Sequence, residues 1–179
     1  MIGLGWWGKK MTVVLQKAGH DIEIVCAAEP NPAGADFAKE HGFTHYANYK
    51  DALKHPGVEA VILATPHSLH AEQIRLAVAA KKHIFCEKPV AVDAAGVRKF
   101  LAANEEAKKK GLAVAIGLQR RHERSYMNTI KAIQEGAIGD IIAMRAYRMH
   151  GPVGSCFSTA KPKASRLRRS EERRVGKEC

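Results

Sequence analysis

Short, continuously apolar runs alternate with helical patterns along most of this 179-residue chain, and no other feature restricts its fold as strongly. The runs Ile22–Ala28, Val58–Ala64, His83–Cys86 and Leu112–Gly117 are strand-sized. Helical patterns lie between and around them at Lys9–Ala18, Ala33–His41, His67–Lys81 and Ala94–Lys110. A strand that is apolar at successive positions must be covered on both faces. Such strands, separated by helices, form a parallel sheet with helices on each side. The expected class is therefore α/β with a doubly wound parallel sheet. Phe43–Tyr46 reads as a further short strand and Tyr49–Lys54 as a short helix. Gly19, Gly42 and Gly111 fall just past helix ends, where a left-handed residue closes the last turn. Asp93 stands where it can cap the helix that follows.

The pattern changes after Gly117. Gln119-Arg120-Arg121-His122 is a polar connector, Ser125–Glu135 a helix, and Gly136 and Gly139 bracket a turn. Ile141–His150 alternates like a strand, and residues 151–163, rich in Gly, Pro and Ser, read as a loop. The expected organisation is a nucleotide-binding domain over 1–118 and the opening of a second α/β domain over 119–168. Residues 169–179 read RSEERRVGKEC, and one back-translation of their start resembles the opening of a common sequencing-library adapter. They are expected to be adapter-derived and no part of the natural fold. Only Met1 and Ile2 precede the first glycine, so the first strand is expected to be clipped at its front.

The net charge of +11 raises the question of nucleic acid, but almost half of the excess lies after Ala160. The remaining body is mildly basic, and no aromatic residues interleave with its charge, so a nucleic-acid partner is not expected. No apolar run approaches the roughly 18 residues of a membrane span. Cys26, Cys86, Cys156 and Cys179 form no CxxC pair and no zinc spacing. Cys26 and Cys86 lie in apolar runs as free thiols would, which points to a reducing compartment and a cytoplasmic location.

Three motifs carry chemistry. Gly3-Leu4-Gly5-Trp6-Trp7-Gly8 is a GxGxxG at the junction of the residual strand and the first helix. Its glycines permit a tight turn, close approach of a pyrophosphate and close helix packing, and the helix N-terminus presents unpaired N–H groups. Glu29 follows Gly8 by 21 residues at the end of the next strand, where a carboxylate can accept ribose hydroxyls. Read without that context, the same residues are a structural turn and a solvent-facing Glu.

Ala64-Thr65-Pro66-His67-Ser68-Leu69-His70 follows a buried strand. Thr65 is expected to cap the next helix and Pro66 to enter its first turn, placing a helix N-terminus at the ligand-binding edge of the sheet. His67 and His70 share a helix face, but no third ligand has matching spacing, and a metal site is not expected. His70 taken alone reads as a packed histidine bonded to backbone. Glu87-Lys88-Pro89 directly follows the strand His83–Cys86. A lysine there can donate to a substrate oxygen, although a Lys-Pro at a strand end is also an ordinary exposed turn.

GLGWWG, the strand-end Glu29, ATPHSLH and CEKP, in this order and spacing, resemble the Gfo/Idh/MocA family of NAD(P)-dependent oxidoreductases. The resemblance covers about Met1 to Pro152, through Gln119-Arg120-Arg121 and the Glu135–Gly139 turn. It implies a Rossmann-type domain followed by an α/β domain that serves substrate binding and oligomer contacts, so the full-length parent is expected to be a homo-oligomer. It implies hydride transfer between a nicotinamide cofactor and a sugar, inositol or other polyol-like substrate. Carried over by position, Gly3, Gly5, Trp6, Trp7, Gly8, Glu29, Thr65, Pro66, His70 and Glu87 contact the cofactor, and Lys88 is the catalytic lysine. A histidine that family members commonly supply from the second domain has no counterpart here. Glu29 with Pro30-Asn31-Pro32 offers no Arg or Lys to a 2′-phosphate, which favours NAD over NADP. The same fold also admits a nucleotide-binding sensor or regulatory module without turnover.

Overall fold

A computed structural model describes residues 1–19 and 22–147. It divides into two bodies, Met1–Lys131 and one that begins at Ala132. Helices α1 (Trp6–Lys17), α2 (Ala33–Glu40), α3 (Tyr49–Ala52), α4 (His67–Ala79), α5 (Ala94–Lys109) and α6 (Arg124–Gln134) alternate with β1 (Cys26–Ala28), β2 (Thr44–Tyr46), β3 (Ala60–Leu63), β4 (His83–Cys86) and β5 (Val114–Ile116).

All strand pairs are parallel: β1 with β2, β3 with β4, and β4 with β5. Ile2 joins the two groups, bridging Ala28 on one side and Leu63 on the other. Its amide donates to Ile62 O and its carbonyl accepts from Ala64 N, both at 2.8 Å. The Gly3 amide donates to Ala28 O on the opposite side at 2.8 Å. The spatial order is thus β2-β1-Ile2-β3-β4-β5. It reverses direction at the Met1–Gly3 segment, the position where open α/β sheets leave a ligand crevice. This is the expected Rossmann-type sheet.

Side chains of successive strand residues enter opposite layers, as the two-residue period requires. Cys26, Ala28, Val61 and Leu63 pack with Ile74, Val78 and Ala103 under α4 and α5. Ala27 and Ile62 pack with Leu4, Met11, Ala38 and Phe43 under α1 and α2. Gly19, Gly42 and Gly111 take positive φ of 63°, 77° and 68° after their helices. Asp93 caps α5, accepting the Gly96 amide at 2.6 Å.

Several elements depart from the sequence reading. α1 starts at Trp6, three residues before the apolar periodicity becomes visible, because the glycine motif itself supplies the first turn. The run Ile22–Ala28 yields a strand only at Cys26–Ala28, since pairing starts with Cys26 opposite Thr44 and Ile22 is left half exposed. The connector Gln119–His122 forms one turn of 3-10 helix. The expected strand Ile141–His150 is not formed over 141–147, and 148–150 lie outside the described residues. A strand exists through its ladder, and no described segment pairs with this one. Ile142 and Met144 remain 98% and 83% exposed. Gly136 and Gly139 do form the expected turn, with φ of 88° and 69°. The expected loop over 151–163 and the segment 169–179 also lie outside the described residues. Among the described residues, no helix is long and apolar enough to cross a membrane.

Candidate active site

The crevice starts at the glycine motif. Gly3 has φ +87°, and a Cβ there would fall 2.8 Å from Ala64 O. A Cβ on Gly8 would fall 1.9 Å from Gly3 O, so α1 approaches the loop to a distance that only glycine permits. Gly5 differs from both, because a Cβ there would meet nothing within 4 Å. It is the N-cap of α1, with no side-chain cap and no acidic residue in the first turn. The amides of that turn, with the positive end of the helix dipole, face open space suited to an anion. Beside them Trp6 is 76% exposed, and Lys10 Nζ lies over both tryptophan rings at 5.3 and 5.6 Å.

Glu29 stands across from this loop. Its Oε2 accepts the Leu4 amide at 2.8 Å and its Oε1 accepts the Asn31 amide at 2.9 Å. His45 Nε2 meets the Glu29 carbonyl oxygen at 2.9 Å, fixing the backbone as well. A cavity of about 380 Å³ opens here, bounded by Gly3, Gly5, Glu29, Pro30, Thr65 and Pro66. Tyr49, Leu69 and Gln73 close its far side. The Tyr49 hydroxyl donates to Gln73 O at 2.9 Å, and burial pushes its phenol above the ordinary range.

A second cavity, of about 300 Å³, adjoins the first through Ala64 and Thr65. Trp7, His67, Glu87, Lys88 and Gln119 complete it. Lys88 is exposed, and among the described residues it has no ion pair or hydrogen bond. The Lys88-Pro89 peptide is cis. The Glu87 carboxylate lies against Gly117: a Cβ on that glycine would be 2.9 Å from Cδ and from both carboxylate oxygens. Directly beneath, Cys86 is fully buried, and burial first, then the neighbouring Glu87 charge, pushes its thiol up to about 12.

The β3–α4 turn is shifted by one residue from expectation, with Pro66 at the N-cap rather than in the first turn of α4. Pro66 is the N-cap of α4 and Thr65 precedes it, so Thr65 does not cap the helix. Thr65 instead donates its hydroxyl to Gln73 Oε1 at 2.6 Å. His70 is fully buried behind this turn. Its Nδ1 lies 2.8 Å from Pro89 O and its Nε2 3.0 Å from Thr65 O. His70 thereby bridges the segment after Lys88 and the segment after β3, each ring nitrogen facing a backbone carbonyl oxygen.

The structure therefore gathers Gly3, Gly5, Glu29, Thr65 and Pro66 around one cavity and Trp7, Thr65, Glu87 and Lys88 around the next. Gly8 and His70 support these walls from behind. Sequence reasoning did not single out Tyr49, Gln73 or Gly117 as part of this region. Gln73 left a signal: a polar residue inside the buried stripe His70, Ala71, Ile74, Ala77 and Val78 of α4.

Residues 1–117 match the Gfo/Idh/MocA oxidoreductase family, described as having an NAD-binding Rossmann fold. The chain is 32% identical over 133 residues to trans-1,2-dihydrobenzene-1,2-diol dehydrogenase of Oryctolagus cuniculus, covering 74% of this chain and 39% of that protein. It is 30% identical over 149 residues to scyllo-inositol 2-dehydrogenase (NAD(+)) of Bacillus subtilis, covering 82% and 43%. Among solved structures, scyllo-inositol dehydrogenase from Lactobacillus casei with bound NAD(H) and scyllo-inositol superposes with a TM-score of 0.71 at 27% identity, covering 78% and 41%. The chain thus spans less than half the length of these relatives.

Proposed function

The chain belongs to the Gfo/Idh/MocA family of oxidoreductases, and on that premise we propose that it is the nucleotide-binding part of an NAD-dependent dehydrogenase acting on an inositol or related polyol. The observation that carries this reading is the pair of adjoining cavities. One pairs an uncapped helix N-terminus with a strand-end carboxylate, and the other holds an unpaired lysine. The first suits a dinucleotide's phosphates and adenosine, the second its nicotinamide end and a substrate hydroxyl.

The residues fit the cofactor by their own geometry. Gly5 leaves backbone open where a pyrophosphate would approach, with Gly3 and Gly8 shaping the loop behind it. Trp6 and Trp7 supply first-turn amides, and Trp7 adds an apolar wall to the second cavity. Glu29 retains lone pairs for ribose hydroxyls beyond those given to Leu4 and Asn31. Thr65 and Pro66 line the passage between cavities, His70 fixes them, and Glu87 orients Lys88 or a nicotinamide ribose. When bound, NAD supplies the hydride acceptor for oxidation of a carbinol carbon. Lys88 Nζ would hydrogen-bond the substrate oxygen, whose proton passes to solvent as hydride leaves the carbon, and would stabilise the charge that grows there. The names of the relatives support the polyol class, and Glu29 supports NAD over NADP. Residues 119–168 are read as the start of the domain that completes the substrate site and the oligomer. The free thiols Cys26 and Cys86 support a reducing, cytoplasmic location.

The test is a full-length protein titrated with NAD and then supplied with a panel of inositols and sugars, with absorbance followed at the reduced-nicotinamide band. Reduction of NAD by a polyol is the expected result. Tight NAD binding with no turnover across the panel would favour a sensor or regulatory module and overturn the dehydrogenase reading.

A further inference from the structure

We infer that Gln73 is an adenine-recognising residue, its side-chain amide donating a hydrogen bond from α4 to a ring nitrogen of the nucleotide base. The inference rests on the NAD reading above and adds to it a residue that no motif marks. Gln73 is only 9% exposed and sits on the buried face of α4, among His70, Ala71, Ile74, Ala77 and Val78. An amide in such a position must have its polar atoms paired or must turn them to a ligand.

Its two ends are treated differently. Oε1 accepts the Thr65 hydroxyl at 2.6 Å, which fixes the rotation of the amide group. The Gln73 backbone carbonyl accepts the Tyr49 hydroxyl at 2.9 Å, which fixes the turn of α4 that carries it. Nε2 has no acceptor among the described residues, and the side chain lines the 380 Å³ cavity. A nine-tenths buried residue, held at its oxygen, therefore presents two free N–H donors to the cavity it lines.

The surroundings select the partner. Tyr49, Leu69, Pro30 and Ala47 make this part of the cavity mostly apolar. A flat heteroaromatic ring with in-plane nitrogen acceptors fits such walls, whereas a phosphate would meet them uncompensated. The phosphates have the α1 N-terminus and ribose hydroxyls have Glu29, so the base is the part left for Gln73.

The test uses Gln73→Met, which preserves volume and removes both donors, with calorimetric titration of NAD, AMP and nicotinamide mononucleotide. Loss of a hydrogen bond that would leave a buried group unpaired corresponds to about a tenfold loss of affinity. That loss is expected for NAD and AMP, with nicotinamide mononucleotide unaffected. A purely structural role through Thr65 would weaken all three alike, because Thr65 borders both cavities, and that result would overturn the assignment. Unchanged AMP affinity would do the same. Failure of the wild type to bind NAD would remove the underlying cofactor reading and this inference with it. As a check on folding, Thr65→Val releases Gln73 Oε1 but keeps Nε2. It should retain more AMP affinity than Gln73→Met, and the reverse order would also count against the assignment.

Discussion

Glu29 and Leu4 are joined by a 2.8 Å hydrogen bond from the Leu4 amide to Glu29 Oε2. The residue that directly follows β1 is thereby tied to the glycine loop it faces. The second oxygen holds the Asn31 amide, and Gly34 packs so closely that a Cβ there would lie 2.7 Å from Glu29 Cγ. The carboxylate is oriented before any ligand arrives, so little ordering cost remains for binding. On the proposed assignment its negative charge would oppose a 2′-phosphate, with no Arg or Lys in Pro30-Asn31-Pro32 to offset it.

Glu29→Ala should weaken NAD by about tenfold or more, the usual scale for a charged hydrogen-bond partner. NADP should lose less, because repulsion is relieved as the loop tie is lost. The Kd ratio, measured by calorimetry with both dinucleotides, should therefore narrow. An unchanged ratio would show that Glu29 does not set cofactor choice.

Gly8→Ala tests the loop from behind. The new methyl would occupy the position now 1.9 Å from Gly3 O, and neither element can yield without moving the sheet edge or α1. We expect a loss of more than about 3 kcal/mol in denaturant unfolding, above the ordinary cost of overpacking. Gly5→Ala serves as the contrast, since its methyl enters open space. That variant should stay near wild-type stability yet bind NAD poorly. Equal stability of the two variants would contradict the assigned close approach.

For Lys88, the expected signature is kinetic. In the full-length protein, Lys88→Ala should lower turnover by roughly 10² to 10⁴ while leaving NAD affinity within about twofold. The division follows from placement, since Lys88 lines only the second cavity and the phosphate-suited amides lie at the first. If the variant keeps more than a third of the wild-type rate with chemistry limiting, the catalytic assignment fails.

Much of this arrangement was legible in the residues because each feature has a local cause. Gly3 and Gly8 are required by backbone approach, Asp93 by its cap, and β4 by a run of four apolar-compatible residues bounded by charge. Thr65 was misread as a cap because its partner, Gln73, lies eight residues away across a helix, and sequence shows the hydroxyl but not its distant acceptor. Gly117 was passed over for the same reason. Its meaning comes from the Glu87 carboxylate, just past the neighbouring strand β4. Ile141–His150 has the right alternation, but alternation states only what a strand would look like if something paired with it. Local chemistry can be read along the chain, whereas contacts between strand ends depend on register and sheet order.

The buried thiol of Cys86 gives the fold a sensitivity to alkali. Burial pushes this group from the ordinary 9.0 up to about 12, so the folded chain keeps a proton that the unfolded chain releases. Between those values the native state binds more protons than the unfolded one, and stability falls as pH rises. The contribution is complete below pH 9 and lost progressively up to about 12. Cys26 and Tyr49 are shifted upward by burial as well, so they act in the same direction. Stability measured by denaturant unfolding should therefore decline from pH 9 to 11, with Cys86 contributing about 2 kcal/mol of that decline. Cys86→Ala should start lower because it leaves a small void in the core, yet decline less steeply over the same range. Parallel curves for the two proteins would show that Cys86 titrates alike in both states, and that its seat between β4 and the core is wetter than the structure implies.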